Sequence, residues 1–182
     1  MTTKKNDGLA NVVAGNSAIS SVGQGSGLLY RGYSVEDLAK ERTFEQVVFL
    51  LLFGELPSRD QERELLRQIS RYRKLDDSLA EVLEKIPGDA NPMDVLRTAT
   101  SFISHLHPEP ASSLYPSSSL RLLGALPSVL GYWLSFTTQQ VRIATDSKNE
   151  EEIIAHHLLR VLRSNRSVSP LELKAMDATL IL

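Results

Sequence analysis

Chemistry needs particular side chains at particular spacings, and the candidates in this chain are few. Four histidines occur, His105, His107, His156 and His157. A helical two-histidine metal site places them four residues apart with an acid nearby. Here one pair is separated by a single residue and the other is adjacent, so neither has that spacing. No set supplies three convergent ligands, and the four read as helix-end and surface histidines. The cluster "VGQGSGLL" is glycine-rich, but a phosphate-cradling loop requires a strand before it, a helix after it and a Lys-Ser/Thr pair. β-prone residues follow instead, which makes a hairpin turn the better reading. Serine is abundant, yet no G-x-S-x-G elbow is present. Arg31 in "YRGY" and Arg73 in "RYRKL" have the chemistry of carboxylate or phosphate ligands, and equally that of structural arginines. Arg160, Arg163 and Arg166 cluster at and beyond a helix C-terminus, where favourable dipole pairing in solvent explains them.

Composition narrows the classes. The chain has 182 residues, 42% apolar and 23% charged, enough for one domain or part of a larger one. A net charge of −2 argues against a nucleic-acid footprint. With no cysteine, disulfides and thiolate metal sites are excluded. The opening MTTKKNDG lacks the apolar run of a signal peptide, and the longest apolar run, Val47 to Phe53, falls well short of the ~20 residues of a membrane span.

The elements that must position these side chains are mainly helical. Residues 1–7 are expected to form a disordered tail and residues 8–33 a small β element, a hairpin through "GQGSG". Residues 34–182 read as helices with frequent punctuation. Ser34 caps a short helix, and Thr43 with Gln46 forms a capping box that opens FEQVVFLLLF, ended by Gly54. That helix is apolar on nearly every side and should be buried. Ser58, Asp76 or Asp77, and Asn91-Pro92 open the next three. "HPEPASSLYPSSS" reads as a loop and the best place for mobility. A helical region from about Leu120 to Ser135 follows, with Pro127 as a kink unless it lies near a start. Asn149 is expected to cap a helix beginning Glu150-Glu151-Glu152, acids suited to the positive end of the dipole. Ser169 and Glu172 form a capping box for the last helix, which ends on Leu180-Ile181-Leu182 with no stop signal.

Several ordered segments together resemble a known family. "GLLYRGYSVEDLA", "TFEQVVFLLLFGELPSRDQ", "NPMDVLRTATS", "LPSVLGYWLSF" and "SPLELKAMDATLIL" are similar, in that order, to the N-terminal portion of bacterial citrate synthases, especially the citrate/2-methylcitrate branch. "GLANVVAGNSAISSV" looks like the family's opening strand segment. The resemblance implies an all-α, multi-helical large-domain fold with a small N-terminal β-hairpin. It implies a cytoplasmic homodimer that condenses oxaloacetate with acetyl-CoA or propionyl-CoA, the thioester being a substrate rather than a cofactor. No membrane or nucleic-acid partner is expected.

The family's catalytic motifs, Y/H-A-E/D-H-E-x-N-A-S, G-P-x-H-G-G-A-N and G-F-G-H-x-V-Y, have no counterpart in this sequence. No catalytic, metal or cofactor-binding residue is therefore carried over, and the chain by itself is expected to be inactive. Arg73 matches an arginine of the family and is expected to approach substrate. Asn91 stands where the family has His, and Ser164-Asn165 where it has Gly. The alternative expectation is a non-catalytic helical dimerisation or interaction fragment. For a portion of a larger fold, the Phe44–Phe53 helix should be poorly covered, and the end of the last helix should fray for want of a groove.

Overall fold

A computed structural model describes residues 15, 17–23, 27–108, 117–163 and 167–182. Short antiparallel strands β1 (Ser20–Gly23), β2 (Gly27–Tyr30) and β3 (Tyr33–Ser34) form a sheet of order β1-β2-β3. Gly23 faces Gly27 where β1 and β2 pair antiparallel, as a hairpin through the glycine-rich stretch predicts, and residues 24–26 between them lie outside the described residues. The sheet also has a third strand that the sequence reading lacked. Tyr30 pairs with Tyr33 around Arg31 and Gly32, both at positive φ (51° and 89°). A two-residue loop of that hand matches the twist of the strands it joins. Arg31 occupies the left-handed region at some cost, and its guanidinium donates to the Leu51 carbonyl at 3.0 Å. Residues 1–7 and 8–14 lie outside the described residues.

Eight helices follow among the described residues: α1 (Val35–Glu41), α2 (Phe44–Phe53), α3 (Arg59–Ser70), α4 (Asp77–Glu84), α5 (Pro92–Leu106), α6 (Ser117–Gln139), α7 (Ile154–Leu162) and α8 (Pro170–Ile181). The fold is all-α with a small sheet. Most starts lie where cap chemistry predicts. Thr43, Ser58 and Ser169 each make the reciprocal capping box, and the Asn91 side chain accepts from the Met93 amide. Gly54 ends α2 at φ 93°.

α6 is the central element, packing against α3, α4, α5 and α7. It is longer than the sequence suggested and holds Pro127 in its buried interior, where the missing N–H leaves the Leu123 carbonyl without its helical donor. Gly131 sets how closely α7 lies: a Cβ there would fall 2.5 Å from Val161 Cβ. Three apolar clusters result. Leu79, Leu83, Val95, Ile103, Val129 and Trp133 join α4, α5 and α6. Val48, Phe49, Leu65, Ile69 and Ile154 join α2, α3 and α7, and Leu38, Val47, Leu50 and Ile181 join α1, α2 and α8.

Two expectations change here. α2 is covered along Val47–Leu50, and its exposure is confined to the last turn, where Phe53 is 48% exposed. The end of α8 is also helical to Ile181, which is 3% exposed in the third cluster, while Leu182 projects at 72%. The α1–α2 surface supplies the groove that the sequence reading thought missing.

Candidate functional site

Helix termini leave backbone donors that need acceptors, and this fold supplies two of them from neighbouring helices. Asp177 of α8 accepts from the Phe44 amide at the start of α2 (3.0 Å). Glu45 of α2 accepts from the Ile154 amide at the start of α7 (2.6 Å), where Ile153 has no capping side chain. One helix thus caps the next, from α8 to α2 to α7. The sequence placed the start of α7 at Asn149. It begins at Ile154 instead, because Asn149–Glu152 form a turn that carries Glu152 inward.

Glu152 is the centre of a buried polar cluster. Its Oε1 accepts from His156 Nδ1 (2.5 Å) and Arg160 Nε (3.1 Å). Its Oε2 accepts from Arg73 Nη1 (3.1 Å) and Arg160 Nη2 (3.3 Å), and its backbone carbonyl accepts from Arg73 Nη2. Burial alone would raise this carboxyl's pKa, but donation from His157, Arg160 and His156 outweighs it and holds the group far below the usual range. Arg73 is wholly buried, and its pKa is lowered by burial against the opposing pull of Glu152 and Glu45. Glu45 is buried beside them. Desolvation pushes it up to about 7, against the bond from Ile154, and its second oxygen has no partner among the described residues.

Ser128 of α6 and His157 of α7 complete the cluster. Ser128 Oγ lies 2.9 Å from His157 Nε2, and His157 Nδ1 lies 3.4 Å from Glu152 Oε2. Serine, histidine and carboxylate in that order have the connectivity of a nucleophilic triad. Its surroundings argue otherwise. Ser128 and His157 are both fully buried, and neither lines any of the described clefts. Arg160 Nη2 also lies 2.9 Å from Nδ1, so a guanidinium and the Glu152 carboxylate both meet that one ring nitrogen. Burial, together with the charges of Arg73 and Arg160, outweighs Glu152 and lowers the His157 pKa, in keeping with a neutral ring. The cluster therefore joins α2, the α3–α4 connection, α6 and α7.

The expected roles of these side chains shift accordingly. His157 is a core histidine rather than a surface one. Arg160 is committed to Glu152 instead of solvent, and Arg163 pairs with Glu172 at 2.6 Å. Arg166 and Ser164-Asn165 lie outside the described residues, as does 109–116 of the serine-rich loop. His107 pairs with Asp76 (3.2 Å). Arg73, the one residue proposed to meet substrate, has both terminal nitrogens on Glu152. Sequence reasoning missed Glu45, Ser128 and Glu152. A lone acid in the first turn of an otherwise apolar helix was the available signal for Glu45.

An open cleft of ≈ 500 Å³ lies between α4, the end of α6 and residues 142–146. In it Tyr132 donates to Glu84 Oε1 (2.6 Å), and Arg142 donates to both oxygens of Glu84 (2.8 Å each). Burial and then Glu84 push the phenol up to about 12, while the phenol and Arg142 hold Glu84 low. One group stays protonated and the other ionised near neutrality, so neither exchanges protons readily.

Comparison with known proteins settles what scaffold this is. The model of the family "Citrate synthase, C-terminal domain" matches residues 8–182. The chain belongs to the citrate synthase family. It is 44% identical over 176 residues to a 2-methylcitrate synthase of Shewanella oneidensis, covering 96% of this chain and 46% of that protein. Among solved structures, citrate synthase from Thermotoga maritima superposes with a TM-score of 0.79 at 22% identity, over 98% of this chain and 46% of that one. A ternary complex of citrate synthase from Thermoplasma acidophilum with carboxymethyl coenzyme A and oxaloacetate gives 0.78 at 19% identity, over 99% and 47%. These likenesses show the fold. The chain spans about half the length of the citrate synthases it matches.

Proposed function

We propose that this chain supplies the helical scaffold of an enzyme that condenses an acyl-CoA with oxaloacetate, forming citrate or 2-methylcitrate. The observation that carries the reading is the 44% identity to a 2-methylcitrate synthase over nearly the whole chain. Such a reaction needs a carboxylate base at the acyl methyl group and donors at the thioester oxygen. It also needs cations for the carboxylates of oxaloacetate. The buried cluster does not offer these, since its acids and bases are bonded to one another. The Tyr132–Glu84–Arg142 cleft has its protons fixed. The chain alone is therefore expected to be catalytically silent, with activity depending on residues of the kind held in the rest of its longer relatives. Assembly as a homodimer in the cytoplasm belongs to the same proposal.

Arg73 enters as a positioning residue. By holding Glu152 it fixes the start of α7 against α6, and any contact with oxaloacetate would require it to exchange that partner. The test is release of free thiol from acetyl-CoA or propionyl-CoA with oxaloacetate. The expected result is no turnover above background for the 182-residue chain, and turnover once the segment that follows in its relatives is joined to it. Sustained turnover by the purified chain overturns the reading.

A second reading, a non-catalytic helical interaction module, draws support from the tight integration of α8 through Asp177 and Ile181. A joined chain that folds and dimerises but releases no thiol would favour it.

A further inference from the structure

Two side chains hold the entry to α7, and each has one polar atom left over. Glu45 of α2 accepts from the Ile154 amide (2.6 Å). Arg73, from the α3–α4 connection, donates to Glu152 Oε2 (3.1 Å) and to the Glu152 carbonyl. The two therefore grip the same short stretch, residues 152–154. Both are wholly buried. Among the described residues, Glu45 Oε2 has no donor and Arg73 Nε has no acceptor. A buried acceptor and a buried donor are each costly to leave unmade. Here they belong to an acid and a cation whose charges act on one another.

The charge of this cluster turns on the Glu45 proton. Arg73 and Arg160 both bond to Glu152, two cations on one carboxylate. With Glu45 neutral a positive charge is in excess, and with Glu45 ionised the acids and guanidinium groups balance. Guanidinium geometry permits the second acid. The two Nη groups form the end edge that serves Glu152, while Nε–H lies on a side edge, so another carboxylate is accepted without releasing the first. The other charged groups brought to α2 are engaged. Asp177 of α8 holds the Phe44 amide, and Glu62 of α3 takes the Thr43 hydroxyl and the Gln46 side-chain amide. His156, His157 and Arg160 of α7 meet Glu152. Asp60 and Glu64 of α3 lie by Phe49 and Phe53, and Arg31 donates to the Leu51 carbonyl, all toward the other end of the helix.

We propose that Glu45 is a proton-controlled latch between α2 and α7: on releasing its proton to solvent it accepts the Arg73 Nε–H through Oε2, closing a buried Glu45–Arg73–Glu152 bridge. Protonated, Glu45 is joined to the entry of α7 by the Ile154 amide. Ionised, it is joined there by that amide and by Arg73, so that α2, the α3–α4 connection and α7 share one charged network. Asp177 caps the same turn of α2 from α8, and its charge opposes a second one beside it. Closure is thus favoured by Arg73 and resisted by burial and by Asp177, a balance that places the transition at about 7.

The experiment follows the Arg73 Nε–H resonance of the full chain, labelled with 15N-arginine, by NMR from pH 5 to pH 9. A donor that gains a charged acceptor makes a shorter, stronger bond, read as a downfield shift. The parent should show that shift with a midpoint of about 7. Glu45→Gln, which keeps the acceptor for Ile154 but cannot ionise, should show none. His156→Gln, which removes the imidazole from Glu152, should retain it. An Arg73 resonance that does not move in the parent overturns the proposal. So does a shift that persists in Glu45→Gln, or one abolished by His156→Gln.

Discussion

Replacing Glu45 with Gln should remove a pH dependence from the stability of this protein. Glu45 is fully buried, with one oxygen on the Ile154 amide and the other unpartnered among the described residues. Its pKa is raised from 4.5 to about 7, chiefly by burial, with Asp177 raising it further and Arg73 and the Ile154 bond lowering it. The folded chain therefore binds this proton more tightly than the unfolded chain. The resulting stability is fully present below pH 4.5, the unfolded value, and is lost as pH rises through about 7. A shift of that size corresponds to roughly 3 kcal/mol. Gln keeps the acceptor for Ile154 and titrates nowhere in this range, so the variant should gain on the parent by about that amount between pH 5 and pH 8. Urea unfolding at several pH values measures it, and the informative quantity is variant minus parent. His157, whose pKa is lowered by burial, contributes with the opposite sign over part of the same window, and subtraction cancels it. A difference that does not change with pH, or that shrinks as pH rises, would refute the reasoning.

Three further outcomes follow from the packing. Arg73→Met leaves Glu152 with fewer of its buried donors and should cost about 3–5 kcal/mol in urea unfolding. Arg73→Lys should recover little of this, because an ammonium cannot bridge the Glu152 carboxylate and carbonyl as a planar fork does. Gly131→Ala drives a methyl group into Val161 and should destabilise by about 1–3 kcal/mol. Adding Val161→Ala should return part of that loss, read as a favourable coupling in a double-mutant cycle. Acidification should weaken the α7–α8 contact, since Glu172 is held at about 2 by the Ser169 backbone and hydroxyl and by Arg163. The stability it adds is present above pH 4.5 and is lost as pH falls through about 2, which acid titration of the Glu172→Gln difference would show.

What the sequence determined by itself was local. Capping residues at Thr43, Ser58, Asn91 and Ser169 announce helix starts because their side chains satisfy amides within the same turn. The glycine-rich turn and the Gly54 stop are likewise short-range, and the ordered motifs were enough to place the family. Tertiary structure decided the rest, wherever a partner is distant in sequence. The start of α7 moved from Asn149 to Ile154 because its cap, Glu45, comes from another helix, and the Asn149 signal was spent on a local turn. The run Glu150-Glu151-Glu152 looks like three solvated acids. Only folding shows that Glu152 turns inward to meet Arg73 from far along the chain. His157 looked like a surface histidine until α6 placed Ser128 against it. The end of α8 looked unfinished until α1 and α2 supplied the apolar surface for Ile181. A cap is written within a few residues, whereas a buried charge cluster needs four elements brought together, and no spacing in a linear sequence records that meeting.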